Sequence, residues 1–194
     1  MPISPLTLRR ADHSDRPVLE RLWLMFRHDL SEFSGVLPNP DGRFRDERLQ
    51  TALDAPGWAA YLLTDDHRPA GFALVRGLDR PVTGLSSFFV VRGRRRGGLG
   101  RRAVAELVHG RPGPWEVAFQ DANPAAARFW RAVATELAGD AWAEEHRPVP
   151  HRPDLPPDTW ITFEPRVSSA SAGETSLVDL DPPAEPEQTP AEPG

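Results

Sequence analysis

Apolar residues near the start of the chain recur with the spacing of an amphipathic helix. They occupy every fourth position from Val18 to Leu30, and Ser14 precedes them at a position that suits a helix N-cap. The pattern predicts a helix of about five turns, which Ser34-Gly35 and the proline-rich segment 38–42 bring to an end. A weaker helical pattern covers residues 43–53.

Later segments have the alternation and the β-branched or aromatic content that are typical of strands. The sequence predicts strands at 6–9, 58–63, 70–75, 82–91, 115–119 and 159–163, and helices at 99–107 and 126–137. Two helices and a strand hairpin, followed by strand–helix–strand–helix, indicate an α/β fold with a central mixed sheet and helices on both faces. The segment 140–157, rich in proline, histidine and arginine, supports no assignment.

The composition restricts the fold to one domain and excludes several kinds of chemistry. A chain of 194 residues suits one domain with a sizeable core, and no apolar run approaches the length of a membrane span. Cysteine and lysine are absent, which excludes thiolate nucleophiles, lysine Schiff bases and the lysine of a phosphate-binding P-loop. The histidines show no metal-binding spacing. The first residues lack a secretory signal, so we expect a cytoplasmic protein.

The negative charge of the chain is concentrated at its C-terminal end. The net charge is −5, and residues 165–194 contain one cation, Arg166, against six carboxylates, which leaves residues 1–164 formally neutral. The same segment is rich in Pro, Glu, Ser and Ala and has almost no large apolar residues, so we predict that it is disordered. A neutral domain does not indicate a nucleic-acid-binding protein.

The stretch from Phe88 to Arg102 joins an apolar strand to a helix through glycines and arginines. The N-terminus of a helix leaves several backbone N–H groups unpaired and carries a partial positive charge. Glycine allows a phosphate to approach these N–H groups closely, and flanking guanidinium groups add charge-assisted hydrogen bonds. This turn therefore predicts a binding site for a phosphate or a pyrophosphate.

Other interpretations of this turn compete with phosphate binding. An arginine patch can bind nucleic acid, but this one lacks interleaved aromatic residues and lies in a neutral domain. The spacing of a Rossmann turn is absent, and a Walker loop requires the missing lysine. The turn can also be a purely structural feature, an arginine-rich loop in which glycine starts a helix and no ligand binds.

A second motif, from Asn123 to Trp130, follows a short predicted strand and opens a predicted helix. Together the two motifs resemble those of the GNAT superfamily of N-acetyltransferases. The first family signature has Arg or Gln, two variable positions, Gly, one variable position and Gly or Ala, which here are Arg95, Gly98 and Gly100. The second has Asn, two variable positions, Ala, two variable positions and Phe-Tyr, which here are Asn123, Ala126, Phe129 and Trp130.

The resemblance implies a domain over residues 3–164 with a mostly antiparallel, splayed central sheet, and acetyl-CoA as the co-substrate without a metal. In the family, the pantetheine arm of the cofactor lies in the splay like an additional strand. Carried over to this sequence, the backbone of Phe89, Val90 and Val91 would pair with that arm, and Asn123 and Phe129 would flank the cofactor. The turn around the pyrophosphate would comprise Arg95, Arg96, Gly97, Gly98, Leu99, Gly100 and Arg101.

Two positions depart from the family pattern, and both concern proton transfer. Many members have a Glu in the strand before the turn, acting as a base, and a Tyr that protonates the departing thiolate. This chain has Ser87 near the first position and Trp130 at the second, so the catalytic residues stay unassigned. The candidates on the acceptor side are His28, Asp29, Glu32 and Glu116, each of which can equally be an ordinary solvated position.

The leading hypothesis is an acetyl-CoA-dependent N-acetyltransferase in which an amine attacks the thioester directly. The missing Glu and Tyr favour a catalytically degenerate acyl-CoA-binding or regulatory module, and the acidic segment favours an interaction platform for a basic partner. The acceptor is a small-molecule or protein amine that the sequence does not identify, and no nucleic acid or membrane is expected as a partner. Homodimers are common in the family, but no residue here establishes one.

Overall fold

Seven strands form one sheet in the order β1-β2-β3-β4-β5-β7-β6 in the computed structural model, which describes residues 6–150 and 154–166. The strands are β1 (Leu6–Arg10), β2 (Trp58–Asp65), β3 (Arg68–Arg76), β4 (Thr83–Val90), β5 (Trp115–Phe119), β6 (Trp142–Arg147) and β7 (Asp158–Phe163). The helices are α1 (Arg16–Ser34), α2 (Glu47–Asp54), α3 (Leu99–His109) and α4 (Pro124–Ala138). Among the described residues β4 and β5 are parallel, and the other pairings are antiparallel, which confirms the predicted fold class.

Helices cover both faces of the sheet and divide its apolar side chains between two cores. Because successive side chains of a strand point to opposite faces, Phe72 of β3 packs with α1 and α2, whereas Val75 packs with α3 and α4. The helices α1 and α2 contact β2 and β3. Over β5, β7 and β6 the same face carries the partly exposed side chains of Glu116, Arg147 and Trp160 instead. We call this part of the α1/α2 side the open face.

The predicted first helix is present, but Ser14 does not cap it. The chain first forms a short 3₁₀ turn, His13–Asp15, in which the Asp12 carboxylate accepts a hydrogen bond from the Ser14 N–H at 2.7 Å. The Ser14 hydroxyl donates to the same carboxylate at 2.6 Å instead of accepting a bond from the helix. The N-cap prediction was wrong because an ionised carboxylate two residues earlier is the stronger acceptor.

The segment that supported no assignment contains β6. This strand lies at the edge of the sheet, pairs with β7 on one side, and has side chains that are partly or fully exposed along its whole length. An edge strand of this kind lacks an apolar alternation, because neither of its faces is completely buried. Sequence periodicity alone therefore could not find it.

The boundaries of the predicted domain are only partly described. Residues 3–5 and 151–153 of the predicted domain, and residues 167–194 of the segment 165–194 that was predicted to be disordered, lie outside the described residues. Arg166 is described, and its N–H donates to the Leu137 carbonyl of α4 at 2.9 Å. None of the helices described is both long enough and apolar enough to cross a bilayer.

An ion pair joins β1 to the start of α1. Arg9 donates two hydrogen bonds to Asp15, at 2.7 and 2.5 Å, and the Asp12 N–H donates a third at 3.0 Å. The Asp15 residue is 6% exposed. The hydrogen bonds from Arg9 lower the pKa of Asp15 and outweigh the opposing effect of burial.

We predict that Asp15→Asn lowers the free energy of unfolding at neutral pH by about 1–2 kcal/mol, because hydrogen bonds to a charged group are lost from a pair that solvent partly screens. The pKa of Asp15 is lower in the folded than in the unfolded chain, so this stabilisation is present above the unfolded pKa of about 3.9 and is lost as the pH falls through the folded value. Urea denaturation should therefore show a difference between variant and wild type that narrows below about pH 4. Asp140→Asn, at an exposed position, is the control; a difference that does not depend on pH would contradict the prediction.

Candidate functional site

Strand β4 changes its register against β3 at Ser86. Leu74 of β3 lies across from Ser87, and the next residue, Val75, lies across from Leu85, so Ser86 is one extra residue in β4. A bulge of this kind bends a strand and increases its local twist. It also places Leu85 and Ser87 on opposite faces of the sheet, although positions two apart normally share a face.

Beyond the bulge, β4 and β5 separate. Within the described residues, their parallel register begins at Thr83–Trp115 and ends at Leu85–Val117, whereas β4 continues to Val90. A gap therefore opens between the second half of β4 and the end of β5. It leads towards the glycine-rich turn and the start of α3.

The backbone groups of β4 that face this gap follow from the alternation of antiparallel hydrogen bonds. The Val91 N–H donates to the Ala70 carbonyl at 2.9 Å. Because bonded positions alternate along an antiparallel pair, Phe89 also turns its backbone groups to β3, and Phe88 and Val90 turn theirs towards the gap. Of the three residues predicted to pair with a pantetheine arm, Val90 is thus the one whose backbone faces the gap.

The turn before α3 contains two residues with left-handed backbone conformation. Arg96 has a φ of +70° and Gly98 a φ of +76°, and Gly98 is the N-cap of α3. The first hydrogen bond of the helix runs from the Arg102 N–H to the Gly98 carbonyl at 3.1 Å. The N–H groups of residues 99–101 precede that bond, so they form a positively polarised end that an anion can occupy.

Most arginines of the turn are bound to carboxylates rather than directed at the end of α3. Asp29 of α1 accepts from both Arg92, at 2.9 Å, and Arg95. Arg94 pairs with the buried carboxylate of Asp65 at 2.5 Å. The turn is therefore held to α1 and to β2 by ion pairs. Burial opposes ionisation of Asp29, but hydrogen bonds from Arg95 and Arg92 lower its pKa overall.

Arg95 also supports the backbone of β4. Its Nε donates to the Val90 carbonyl at 2.7 Å, and its guanidinium lies over the ring of Phe89, 5.5 Å from the centroid. Arg96 and Arg101 are both exposed near the start of α3, and Arg101 donates to Glu136 at 3.4 Å. The predicted turn residues are thus brought together, but Arg95 contributes as a support.

An aromatic cluster lies on the α3/α4 side of the gap. The rings of Phe88 and Phe129 are stacked, with centroids 5.8 Å apart and 10° between their planes, and Trp130 contacts Phe129 edge-on at 4.8 Å. Trp130 is 7% exposed and belongs to the core. A side chain at Gly100 would meet Phe129 at 3.3 Å, so the helix start packs directly on this cluster.

Asn123 has a structural task at the start of α4. Its side-chain oxygen accepts from the Ala126 N–H at 3.0 Å, which makes Asn123 the N-cap of this helix. The cap fixes the start of α4, and with it the direction from which Phe129 approaches the gap. The geometry therefore explains this motif residue without a ligand contact.

The predicted acceptor-side candidates do not form one group. Asp29 and Glu32 lie beside the arginine turn, Glu32 at 3.8 Å from Arg92, and His28 is exposed near the end of α1. Glu116 lies on the open face between Arg76 and Arg147, the latter at 3.2 Å. Each of the two carboxylate oxygens of Glu116 thus accepts a hydrogen bond from one of these guanidinium groups.

Two residues that the sequence analysis did not single out lie on the α1/α2 side near the bulge. Asp158, the first residue of β7, is half-buried, and burial raises its pKa more than the nearby Arg48 lowers it. Arg48 of α2 donates to the Ser86 carbonyl at 3.2 Å and to the Ser87 hydroxyl at 3.4 Å. Both residues lie in segments without a motif, and only the packing of α2 and β7 on the sheet brings them to β4.

The described residues form a gap beside β4 that leads to the polarised N-terminus of α3, and no metal centre is found among them. No group of three or more His, Asp or Glu side chains in the described part of the chain could hold a metal ion. The gap along β4 is lined by backbone groups on one side and by the Phe88–Phe129 stack on another. Such a site fits a long, thin molecule with a phosphate group near one end.

Residues 20–134 match the model of the Acetyltransferase (GNAT) family. The match covers more than half of the chain and includes β2 to β5, the arginine turn and most of α4. The chain therefore belongs to the GNAT family of acetyltransferases, whose members use acetyl-CoA as co-substrate. No curated protein sequence matches the chain.

Solved structures of acetyltransferases share the fold. An acetyltransferase from Thermus thermophilus is 23% identical, with 84% of this chain and 99% of that chain covered and a TM-score of 0.62. A GNAT-family acetyltransferase from Staphylococcus aureus is 14% identical, with 82% and 99% covered and a TM-score of 0.55. The ribosomal-protein-S18-alanine N-acetyltransferase from Escherichia coli is 14% identical, with 86% and 98% covered and a TM-score of 0.54. At these identities the likeness shows the fold alone.

We predict that Gly98→Ala destabilises the fold by about 1 kcal/mol, because an L-residue is strained at its φ of +76°. Gly97→Ala is the matched control: a Cβ at either position meets no atom within 4 Å, but Gly97 lies outside the left-handed region. Urea denaturation should therefore show a loss for Gly98→Ala and none for Gly97→Ala. Equal stability of the two variants would mean that the backbone of the turn differs from the one described.

Proposed function

We propose that the protein is an acetyl-CoA-dependent N-acetyltransferase that transfers the acetyl group directly to an amine. The observation that carries this proposal is the gap between β4 and β5, which leads to the glycine turn at the N-terminus of α3. Family membership supports acetyl transfer, and the gap and the helix N-terminus support binding of the pantetheine arm and the pyrophosphate.

The residues of this chain fit acetyl-CoA in the following way. The N–H groups of residues 99–101 and the side chains of Arg96 and Arg101 bind the pyrophosphate. The carbonyl of Phe88 and the N–H of Val90, which face the gap, pair with the pantetheine amides, while the Val90 carbonyl accepts from Arg95. Phe129, stacked on Phe88, forms the wall on the α4 side. The ion pairs of Asp29 hold the turn in place before the cofactor binds.

The cofactor supplies an activated acetyl group as a thioester. In the transfer, the amine nitrogen of the acceptor forms a bond to the acetyl carbon, the carbon–sulfur bond breaks, and the thiolate departs with the bonding electron pair. The amine must lose one proton, and the thiolate gains one. In this proposal the N–H of Phe88 polarises the thioester carbonyl.

Departure of the thiolate does not require an acid from this chain. The indole N–H of Trp130 can donate a hydrogen bond but does not release its proton near neutral pH. A free thiol titrates near about 8.5, so departure of the unprotonated thiolate at about pH 7 is disfavoured by roughly 2 kcal/mol. Solvent can protonate the thiolate afterwards at this small cost. Trp130 therefore contributes packing in the position where many family members have a tyrosine.

Asp158 is the best-placed group to receive the proton of the amine. It lies at the end of the sheet where the gap is open, since Thr159 pairs with the last residue of β5, Phe119. Its pKa is raised by burial, which makes its carboxylate a stronger base than an exposed aspartate. Glu116, in contrast, is held by Arg76 and Arg147.

A catalytically degenerate acyl-CoA-binding module is the second candidate function. The observation that favours it is the lack of a carboxylate in the second half of β4 together with the buried Trp130 in place of a tyrosine. The two candidates share the cofactor site and differ in turnover. A mass-spectrometric screen of pooled amines with acetyl-CoA separates them, because the degenerate module binds acetyl-CoA and forms no acetylated product.

We expect Gly97→Glu to weaken acetyl-CoA binding at least about tenfold, because it places a negative charge beside the phosphate-binding N–H groups. A side chain at Gly97 has open space, so the fold should persist. Gly93→Glu introduces the same charge at another open position of the same loop and is the matched control. Isothermal calorimetry should show less than about a threefold change for the control, since it lies before the turn. Equal affinities of the two variants would remove the basis for the proposed cofactor site.

We expect Asp158→Asn to lower kcat at least about a hundredfold with the acceptor found in the screen, because a general base contributes about 10²–10⁴-fold. In the wild type, the rate should rise with pH through the raised pKa of Asp158, as its carboxylate becomes ionised. In the pH–rate profile, the variant should lose this rise and keep any rise that comes from deprotonation of the amine itself. Glu145→Gln, at an exposed carboxylate on β6 that pairs with Arg147, should retain kcat within about twofold. An unchanged pH profile in Asp158→Asn would assign the base elsewhere.

A further inference from the structure

Arg48 extends from α2 to the bulge of β4, where one guanidinium nitrogen, Nη1, donates hydrogen bonds. Its Nη1 contacts the Ser86 carbonyl at 3.2 Å and the Ser87 hydroxyl at 3.4 Å. Its Nε and Nη2 have no acceptor among the residues that the structure describes. A guanidinium has five N–H donors in a planar fork, so Arg48 retains an edge that matches a carboxylate.

The surroundings of Arg48 are unfavourable for a cation that has no partner. Its side chain is accessible to solvent, but protein surrounds it closely enough that desolvation lowers its pKa, and Arg27 acts in the same direction. Arg76 adds a smaller effect of the same sign, and Asp158 opposes it. Within residues 6–150 and 154–166, no carboxylate forms an ion pair with Arg48. Arg48 is therefore a cation for which these residues supply no counter-ion. We call the region between Arg48, Asp158 and the bulge at Ser86 the recess.

Arg27 of α1 adds a second unsatisfied donor nearby. Its Nε is buried and has no hydrogen-bond partner in the described part of the chain. Desolvation lowers the pKa of Arg27 as well, and its guanidinium lies over the ring of Phe44, 5.8 Å from the centroid. A buried donor without an acceptor is costly, and native structures contain few of them.

The neighbouring carboxylates are engaged elsewhere. Glu116 is shared by Arg76 and Arg147, and Glu47 accepts from Arg45 at 3.0 Å. Asp158 acts on Arg48 from β7 without a direct ion pair. Most arginines around this recess are thus matched by a carboxylate of the chain, whereas Arg48 and Arg27 are not. This difference indicates an anionic group that comes from outside the described chain.

We propose that the acceptor carries a carboxylate close to its amine, as an α-amino acid does, and that Arg48 binds this carboxylate. The inference rests on the proposed function, since it names the acceptor class for the same site. The Nε/Nη2 edge of Arg48 makes two parallel hydrogen bonds to the carboxylate. Asp158 then faces the amine from the other side of the recess. The cationic Arg48 therefore binds the carboxylate of the zwitterion, and the anionic Asp158 faces its amino group.

The position of Arg48 sets how far the carboxylate lies from the amine. Arg48 holds Ser86 and Ser87, which are the first residues of β4 beyond its register with β5. A carboxylate on this guanidinium is therefore next to the start of the gap, where the thioester lies in the proposed complex. This proximity favours an acceptor with the two groups a few bonds apart over one with a remote carboxylate.

The test compares acceptors that differ in the carboxylate alone. The probes are the L-amino acids, their α-amides and the corresponding decarboxylated amines, for example L-phenylalanine, L-phenylalaninamide and phenethylamine, each with acetyl-CoA. We expect kcat/KM to be at least about tenfold higher for the carboxylated member of a pair. In Arg48→Met, kcat/KM should fall about 10- to 100-fold for carboxylated acceptors, the loss typical of hydrogen bonds to a charged group. It should change less than about threefold for the amides and amines.

Two further variants keep the result specific. Arg48→Lys retains the charge without the fork and should recover part of the loss. Arg45→Met removes an exposed arginine from the same segment and should leave both acceptor classes unchanged. Acetyl-CoA affinity by calorimetry should stay the same in all of these variants, because none of them alters the turn before α3.

Several outcomes would overturn the proposal. An equal loss of kcat/KM for every acceptor in Arg48→Met would show that Arg48 acts by holding the bulge. A preference for amides, plain amines or a phosphorylated amine such as phosphoethanolamine would exclude a carboxylate-bearing acceptor and leave the proposed acetyl transfer intact. If acetyl-CoA binds and no amine of any class is acetylated, the proposed function fails, and the acceptor class fails with it.

Discussion

At Ser86 one residue of β4 has no counterpart in β3, and the course of β4 after this residue depends on it. It bends β4 away from β5 after Leu85, so the parallel register stops and the backbone of Phe88 and Val90 is left facing a gap. The same step turns Ser87 towards α2, where Arg48 contacts it. The proposed cofactor site and the proposed acceptor site therefore both adjoin this one irregularity.

Ion pairs hold the turn at the end of this channel. A glycine-rich turn loses much conformational entropy when it becomes ordered, and a ligand that had to order it would bind less tightly. Here Asp29 and Asp65 anchor Arg92, Arg95 and Arg94, so the turn is attached to α1 and β2 in the absence of a ligand. The arginines of the motif thus divide into those that position the turn and those that can reach a phosphate.

The proposed site has a candidate base but no candidate acid, which is compatible with a thioester as the acetyl donor. A thiolate is a good leaving group, so the demand for an acid is small, and the position of the usual tyrosine can be given to packing. Trp130 fills that position and supports Phe129, which in turn stacks on Phe88 at the gap. Deprotonation of the amine is the more demanding step. In the proposed mechanism Asp158 accepts this proton, while Glu116 is bound by two arginines.

The sequence by itself determined the fold class, the two family motifs and the strand β4, which borders the gap. These features are local: an apolar strand followed by glycines, the Asn123–Trp130 motif and the periodicity of four helices are all readable from neighbouring residues. Only the tertiary structure decided what each side chain contacts. Asp29 and Arg95 are 66 positions apart, and Arg48 and Ser87 are 39 apart, so no periodicity connects them. Long-range pairs of charged and polar groups form where helices and strands pack, and the same local pattern is compatible with several partners. For this reason the sequence predicted the anion site. The positions of Arg48 and Asp158 near the bulge of β4 are known only from the packing of α2 and β7 on the sheet.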